Sequence, residues 1–210
     1  MRTAGPNAEK TIIYCRSINQ VAAVYEDLLS RIGEDAWQGK THTTENLGIT
    51  MYHGSIGKLQ EQYVLNTFVK TDSIERCVVC TIAFGMGIQV TDVRHIINFG
   101  PSKSPLHYWQ EVGRAGRDGL PSSATLLLGP RSLDKRLVNP EMLKVCARIS
   151  SEKCCARRAI LVAIHMQKMP RVAVRSSVCG NHCSACVCEA CCCCSLCRSS
   201  CPCRLEATAT

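Results

Sequence analysis

The chain has 210 residues, 46% of them hydrophobic, and its 25 Lys and Arg outweigh 17 Asp and Glu to give a formal net charge of +8. That is enough for one full domain with a packed core and a small appendage, and too little for a two-lobed motor. No apolar run approaches the roughly 18 residues of a membrane helix, and the start, MRTAGPNAEK, lacks the apolar centre of a secretion signal, so the expectation is a soluble intracellular protein with no membrane contact.

Charge and cysteine are both unevenly spread. Residues 1–130 hold 12 basic and 12 acidic side chains, residues 131–175 hold 11 and 3, and residues 176–210 hold two of each, so one segment carries the whole excess. A localised basic stretch is the footprint expected for a nucleic-acid backbone, although a solvated helix face has the same composition. Of the 17 cysteines, 11 fall between Cys179 and Cys203. Without a secretion signal, that density reads first as metal binding.

In chain order, Thr11-Ile12-Ile13-Tyr14-Cys15 is a β-branched apolar run of the kind found in buried parallel strands. Ser17 caps the helix that follows, in which Val21, Val24, Leu28 and Ile32 recur at helical spacing before Gly33. Residues 34–48 are polar and read as a surface loop. Ile49 to Tyr52 is a second strand, His53-Gly54-Ser55 its turn, and Lys58 to Val69 a helix with Leu59, Tyr63 and Phe68 partly on one face.

Cys77 to Thr81 is the next buried strand. Its C-x-x-C spacing places Cys77 and Cys80 on opposite faces, so both read as core thiols. Thr81 ends this strand with a hydroxyl and nearby N–H groups, a geometry suited to a phosphate. His95 to Phe99 and Ser123 to Leu128 complete a set of strands alternating with helices, which indicates a parallel sheet covered on both faces. Between them, Ser104-Pro105 starts a helix carrying Tyr108, Trp109 and Gln110, with the two aromatics expected to pack.

That helix runs into Gln110-Glu111-Val112-Gly113-Arg114-Ala115-Gly116-Arg117-Asp118-Gly119. On a helical or near-helical backbone, arginines three apart share one side, and the glycines allow close approach to the main chain. Paired guanidiniums suit phosphate oxygens. The same string also fits a helix C-terminus with basic residues at the negative end of the dipole and glycine as the stop.

Gln110-x-x-Gly113-Arg114-x-Gly116-Arg117 resembles motif VI of the second helicase superfamily, and Ala83-Phe84-Gly85-Met86-Gly87-Ile88 resembles motif V in its RecQ form. The resemblance to RecQ-like helicases covers residues 10–130 strongly and 131–187 more weakly. It implies an α/β fold: a RecA-like parallel sheet with helices on both faces over residues 1–130, then a small basic helical zinc-binding subdomain over 131–187. Residues 188–210 are left as a cysteine-rich, low-complexity and weakly ordered tail.

By the same resemblance, this is the C-terminal half of an ATP-dependent 3′-to-5′ DNA helicase, nuclear in location. Arg114 and Arg117 would meet the γ-phosphate of ATP and Mg2+ held by a first RecA-like lobe supplied in cis or trans, and Gln110 would sense the nucleotide. Gly87, Gln89 and Gly113 would border the nucleotide, while Ser17, Arg16, Thr81 and His53 would grip DNA. Gln89 departs from the RecQ pattern, where an aspartate stands, and so loses a charge. The resemblance also implies a zinc site of Cys155 (or Cys154, ahead of Arg157 and Arg158) with Cys179, Cys183 and Cys186; His182 or Cys188 can substitute in that register. The basic segment is expected to form a long helix from Glu152 to Lys168.

No G-x-x-x-x-G-K-[ST] and no acidic magnesium-holding motif occurs, so the chain is expected not to hydrolyse ATP alone. The alternatives are a non-catalytic DNA- or partner-binding module and a metal-buffering protein.

Overall fold

The computed structural model describes residues 8–85, 88–129, 132–152, 154–164 and 194–199. The chain divides into two compact units, residues 1–103 with 107–134 and residues 104–106 with 135–210. The first unit holds a sheet of five strands, β1 (Lys10–Cys15), β2 (Ile49–Tyr52), β3 (Cys77–Cys80), β4 (Val93–Phe99) and β5 (Ser123–Leu127). Their order is β2-β3-β1-β4-β5 and every neighbouring pair is parallel, as the alternation of apolar runs with helical periods requires. Helices α1 (Ile18–Ile32), α2 (Lys58–Thr67) and α3 (Pro105–Val112) lie between strands in sequence.

Each face of the sheet has its own apolar layer. Ile12, Tyr14, Val78, Cys80 and Ile96 pack with Val64 and Phe68 at α2 and with Phe84. Ile13, Cys15, Cys77 and Val79 pack on the other face with Val21 of α1, Ile49 and Ala36. Cys77 and Cys80 thus face opposite layers, as their spacing demands, and burial pushes the Cys77 thiol up to about 12.

Local signals set the helix bounds. The N–H of Gln20 donates to Oγ of Ser17 at 3.2 Å, and Gly33, at φ 61°, donates its N–H to Leu29 to end α1. In α2 the expected Tyr63 and Phe68 do pack on the core, with Phe68 one residue past the helix end, whereas Leu59 is 85% exposed and Val64, not singled out from sequence, is fully buried. Tyr108 is buried as expected of a packing residue, whereas Trp109 is 37% exposed.

The second unit holds α4 (Pro140–Ser150) and α5 (Ala156–Ile164). The helix expected from Glu152 to Lys168 corresponds to α5, which starts later, at Ala156. Asn139 starts α4 by accepting from the N–H of Glu141 at 2.7 Å, with Pro140 in the first turn. Ser150 ends it, its hydroxyl donating back to the Cys146 carbonyl at 2.8 Å, a bond that competes with the helical ladder. Residues 165–168 of the expected helix lie outside the described residues. In the segment expected to be a low-complexity tail, Ser195–Ser199 forms one short helical turn.

One charged residue in the core was not anticipated. Lys10 opens β1 at 1% exposure, and its ammonium donates to the carbonyls of Phe68 (2.8 Å) and Lys70 (2.5 Å) and to Asp92 (3.0 Å). Burial lowers its pKa, and the Asp92 hydrogen bond opposes that shift. Replacing Lys10 by Met strands these acceptors and is expected to lower the unfolding free energy by about 3 kcal/mol in urea titration. A loss below about 0.5 kcal/mol would show that they find other donors.

Candidate functional site

Because the strands are parallel, their C-terminal ends form one rim, where open α/β sheets bind ligands. His53 follows β2, Thr81 follows β3, and Arg16 and Ser17 follow β1; these three strands are adjacent, so four residues singled out from sequence stand in a row. Arg16 and Ser17 are exposed, and His53 and Thr81 are half-buried. Ser17 spends a lone pair on the α1 cap and keeps its O–H to donate. One terminal nitrogen of Arg16 donates to the Ser132 carbonyl at 3.1 Å. The Thr81 N–H is not available to a ligand, since it donates to the Tyr52 carbonyl at 3.1 Å.

The arginines lie just beyond α3. After Val112, i→i+3 bonds from Arg114 to Glu111 and from Ala115 to Val112 keep the backbone near-helical. Gly116 then takes φ 63° and donates its N–H to Val93 at 2.9 Å, where a Cβ would come within 2.6 Å of the Ser122 hydroxyl. Arg114 and Arg117 line one recess with Ile12, Phe84, Ile88 and Val90.

The two guanidiniums are held differently. Arg114 is half-buried, with Nη1 donating to the Ile88 carbonyl at 3.3 Å and Nη2 to that of Gly85. It lies so close to Gly85 that a Cβ there would meet Nη2 at 2.7 Å. Arg117 is exposed, and its single hydrogen bond among the described residues runs from Nε to Gly113 at 3.3 Å, which leaves both terminal nitrogens to a ligand. Among the described residues the buried Tyr14 hydroxyl and Arg114 Nε have no hydrogen-bond partner. Burial pushes the Tyr14 phenol up, and Arg114 and Arg117 both pull it back, so the charges reach this spot.

Glu111 fixes the arginine turn from behind. It is buried and accepts from Asn98 Nδ2 at 2.5 Å and from the Ser102 hydroxyl, tying the end of α3 to β4 and its following loop. Burial raises its pKa, while the Ser102 and Asn98 hydrogen bonds and Arg114 pull it down. Sequence reasoning missed Tyr14, Asn98, Ser102 and Glu111. The one available signal was a polar Asn98 inside the apolar run of β4 and an acid beside the motif VI arginines.

Of the other expected residues, Gln110 and Gly113 are exposed at the end of α3 and just after it, and Gln89 is exposed between Ile88 and the buried Val90. Gly87 lies outside the described residues, as do Cys179, His182, Cys183, Cys186 and Cys188. Cys154 and Cys155 are half-buried just before α5. Among the described residues no group of three or more His, Cys, Asp or Glu is placed to hold a metal, and no helix is long and apolar enough to cross a membrane.

A parallel α/β lobe with a rim of polar strand ends and an arginine turn is the class defined here. The model of the helicase conserved C-terminal domain matches residues 5–119, and the chain belongs to that family. Its relatives mark it as a RecQ-like lobe. It is 35% identical over 164 residues to the mouse bifunctional 3′-5′ exonuclease/ATP-dependent helicase WRN, covering 72% of this chain and 11% of that protein. It is 34% identical over 126 residues to the ATP-dependent DNA helicase RecQ of Pasteurella multocida, covering 60% and 17%. For the RecQ of Haemophilus influenzae the values are 30% over 163 residues, 71% and 24%. The chain therefore spans about a tenth to a quarter of the length of these relatives. Among solved structures, the DUF1998 helicase MrfA bound to DNA aligns at TM-score 0.49 and 21% identity over 60% of this chain and 16% of that one.

Because burial raises the Glu111 pKa above its unfolded value, the stability linked to its protonation is present at low pH and lost as pH rises through the folded value. The urea midpoint is expected to fall as pH rises above the ordinary carboxylate range, and to fall less over the same range in Glu111→Gln. Parallel curves for the two proteins would contradict this placement of Glu111.

Proposed function

We propose that this chain serves as the second motor lobe of a RecQ-like, ATP-dependent 3′-to-5′ DNA helicase, working against a first lobe in cis or trans. The observation that carries this reading is the different tethering of the two arginines, one spent inside the lobe and one with its terminal nitrogens unbonded. In this reading Arg117 is the finger that meets the γ-phosphate. Arg114 braces motif V beneath it, and Gln110, Gly113, Gly87 and Gln89 border the nucleotide. The orphaned Arg114 Nε and Tyr14 hydroxyl beside this turn fit a site completed by an anionic oxygen or a water. ATP with Mg2+ supplies the transferred phosphoryl group and its counter-charge; the lobe's residues orient and stabilise.

The rim row of Arg16, Ser17, His53 and Thr81 takes the DNA in this account. A cation, hydroxyls and an imidazole suit a phosphate backbone better than base edges, which fits a motor indifferent to sequence. Repeated opening and closing of the cleft would then move the strand stepwise past this row. A nuclear location goes with a DNA substrate.

The domain scheme, a lobe over 1–130, a zinc-binding subdomain over 131–187 and a tail over 188–210, belongs to the same proposal. Its described part fits only to the extent that Cys154 and Cys155 sit half-buried at the start of α5, ahead of Arg157 and Arg158. With Cys179, Cys183 and Cys186 either would complete a four-thiolate zinc site, which folds local chain and takes no part in chemistry. Metal analysis is expected to give about one zinc per chain, lost in Cys183→Ser. Several ions per chain, or none, would contradict it.

Reconstituted with a RecQ-type first lobe and DNA, Arg117→Ala is expected to lower ATPase turnover by about 10³-fold or more with the melting temperature unchanged. Arg114→Ala is expected to lower both, because it also releases Gly85 and Ile88. Turnover within about threefold of the parent for Arg117→Ala would exclude the finger role.

A further inference from the structure

At the edge of the sheet farthest from β5 lies a cavity of which the motor reading uses only His53, at its rim. It holds about 140 Å³ and is lined by Tyr25 of α1, Thr44 and Leu47 of the preceding loop, Ile49, Thr50 and Met51 of β2, His53, Ile56, Gln60 and Tyr63 of α2, and Glu75. An apolar cavity of about 150 Å³ accepts benzene. The space is therefore that of a single six-membered ring, and Tyr25 and Tyr63 supply aromatic walls of matching size.

The lining also carries polar groups in a definite arrangement. Among the described residues β2 is an edge strand, paired on one side only, with β3. The bonds from Cys77 N to Gly48 O and from Thr81 N to Tyr52 O set the even-numbered residues of this ladder toward β3. Alternation then turns the N–H and C=O of Ile49 and Met51 outward, along the cavity. In order they present a donor and an acceptor at Ile49, then a donor and an acceptor at Met51, so that the Ile49 C=O and the Met51 N–H are neighbours along the edge. Glu75, only 3% exposed, adds a carboxylate that accepts from Thr67 Oγ1 (2.8 Å) and Ser73 Oγ (2.5 Å) and is also hydrogen-bonded by Tyr63, three bonds where a carboxylate can take about four. The Ser55 N–H donates to His53 Nδ1 at 3.3 Å.

We infer that this cavity is a binding site for a small flat heterocycle of one ring that bears an amino donor next to a ring acceptor. The ring fills the space between Tyr25 and Tyr63, the ring acceptor takes the Met51 N–H, and the amino group donates to the Ile49 carbonyl or to Glu75. A ring with a donor beside an acceptor is favoured over a plain hydrocarbon because the edge of β2 offers a carbonyl beside an N–H, and a hydrocarbon would leave both without a partner.

The probe is 2-aminopyridine, titrated into the full chain while backbone amide resonances are followed, with benzene as comparator. Saturable shifts are expected at Ile49, Met51, His53 and Tyr63, with affinity in the range of about 0.1–10 mM set by so small a ligand. Ile56→Trp, which fills the space from its half-buried rim position, is expected to weaken binding at least tenfold, and Glu75→Gln threefold or more. Unchanged shift dispersion elsewhere checks that each variant is folded. No saturable shift below about 10 mM overturns the site, and binding of benzene at equal affinity, or indifference to both substitutions, overturns the assigned chemistry.

Discussion

The contact on which the arginine turn depends is the guanidinium of Arg114 lying on the carbonyls of Gly85 and Ile88. It joins two segments 26 or more positions apart in sequence, and a Cβ at Gly85 would push the guanidinium out of its present place. Glu111, buried and bonded to Asn98 and Ser102, holds the same turn from the β4 side. Arg114 is therefore caught between a carboxylate that attracts it and two carbonyls that accept from it. Arg117, three positions on and across a glycine with positive φ, escapes both and stands in solvent.

Geometry links this turn to the rim. Gly85 ends a single 3₁₀ turn that starts at Ile82, directly after Thr81, and the Phe84 N–H donates to the Thr81 carbonyl at 3.1 Å. A displacement of Arg114 thus has a short covalent path to a residue at the C-terminal end of β3. Under the proposed function that path connects phosphate to DNA. The parallel order β2-β3-β1 does the rest, since it brings three strand ends to one rim.

Much of this was legible in the sequence because its signals are local. β-branched runs marked the strands, Ser17 and Gly33 marked both ends of α1, and the glycine and arginine spacing marked the turn after α3. What escaped involves partners distant in sequence. Nothing around Lys10 announces that its ammonium finds Phe68, Lys70 and Asp92, and nothing around Glu111 announces Asn98. The unequal tethering of Arg114 and Arg117 was equally invisible, because their spacing treats them alike.

The central claim is that one arginine is spent within the lobe while the other is kept for phosphate. It is tested most directly by following the guanidinium Nε resonances of Arg114 and Arg117 in a complex with a RecQ-type first lobe as an ADP–fluoroaluminate analogue is added. The account predicts that the Arg117 signal shifts and becomes protected from solvent exchange while Arg114 keeps its environment against Gly85. An unmoved Arg117 together with an Arg114 that leaves Gly85 would contradict it.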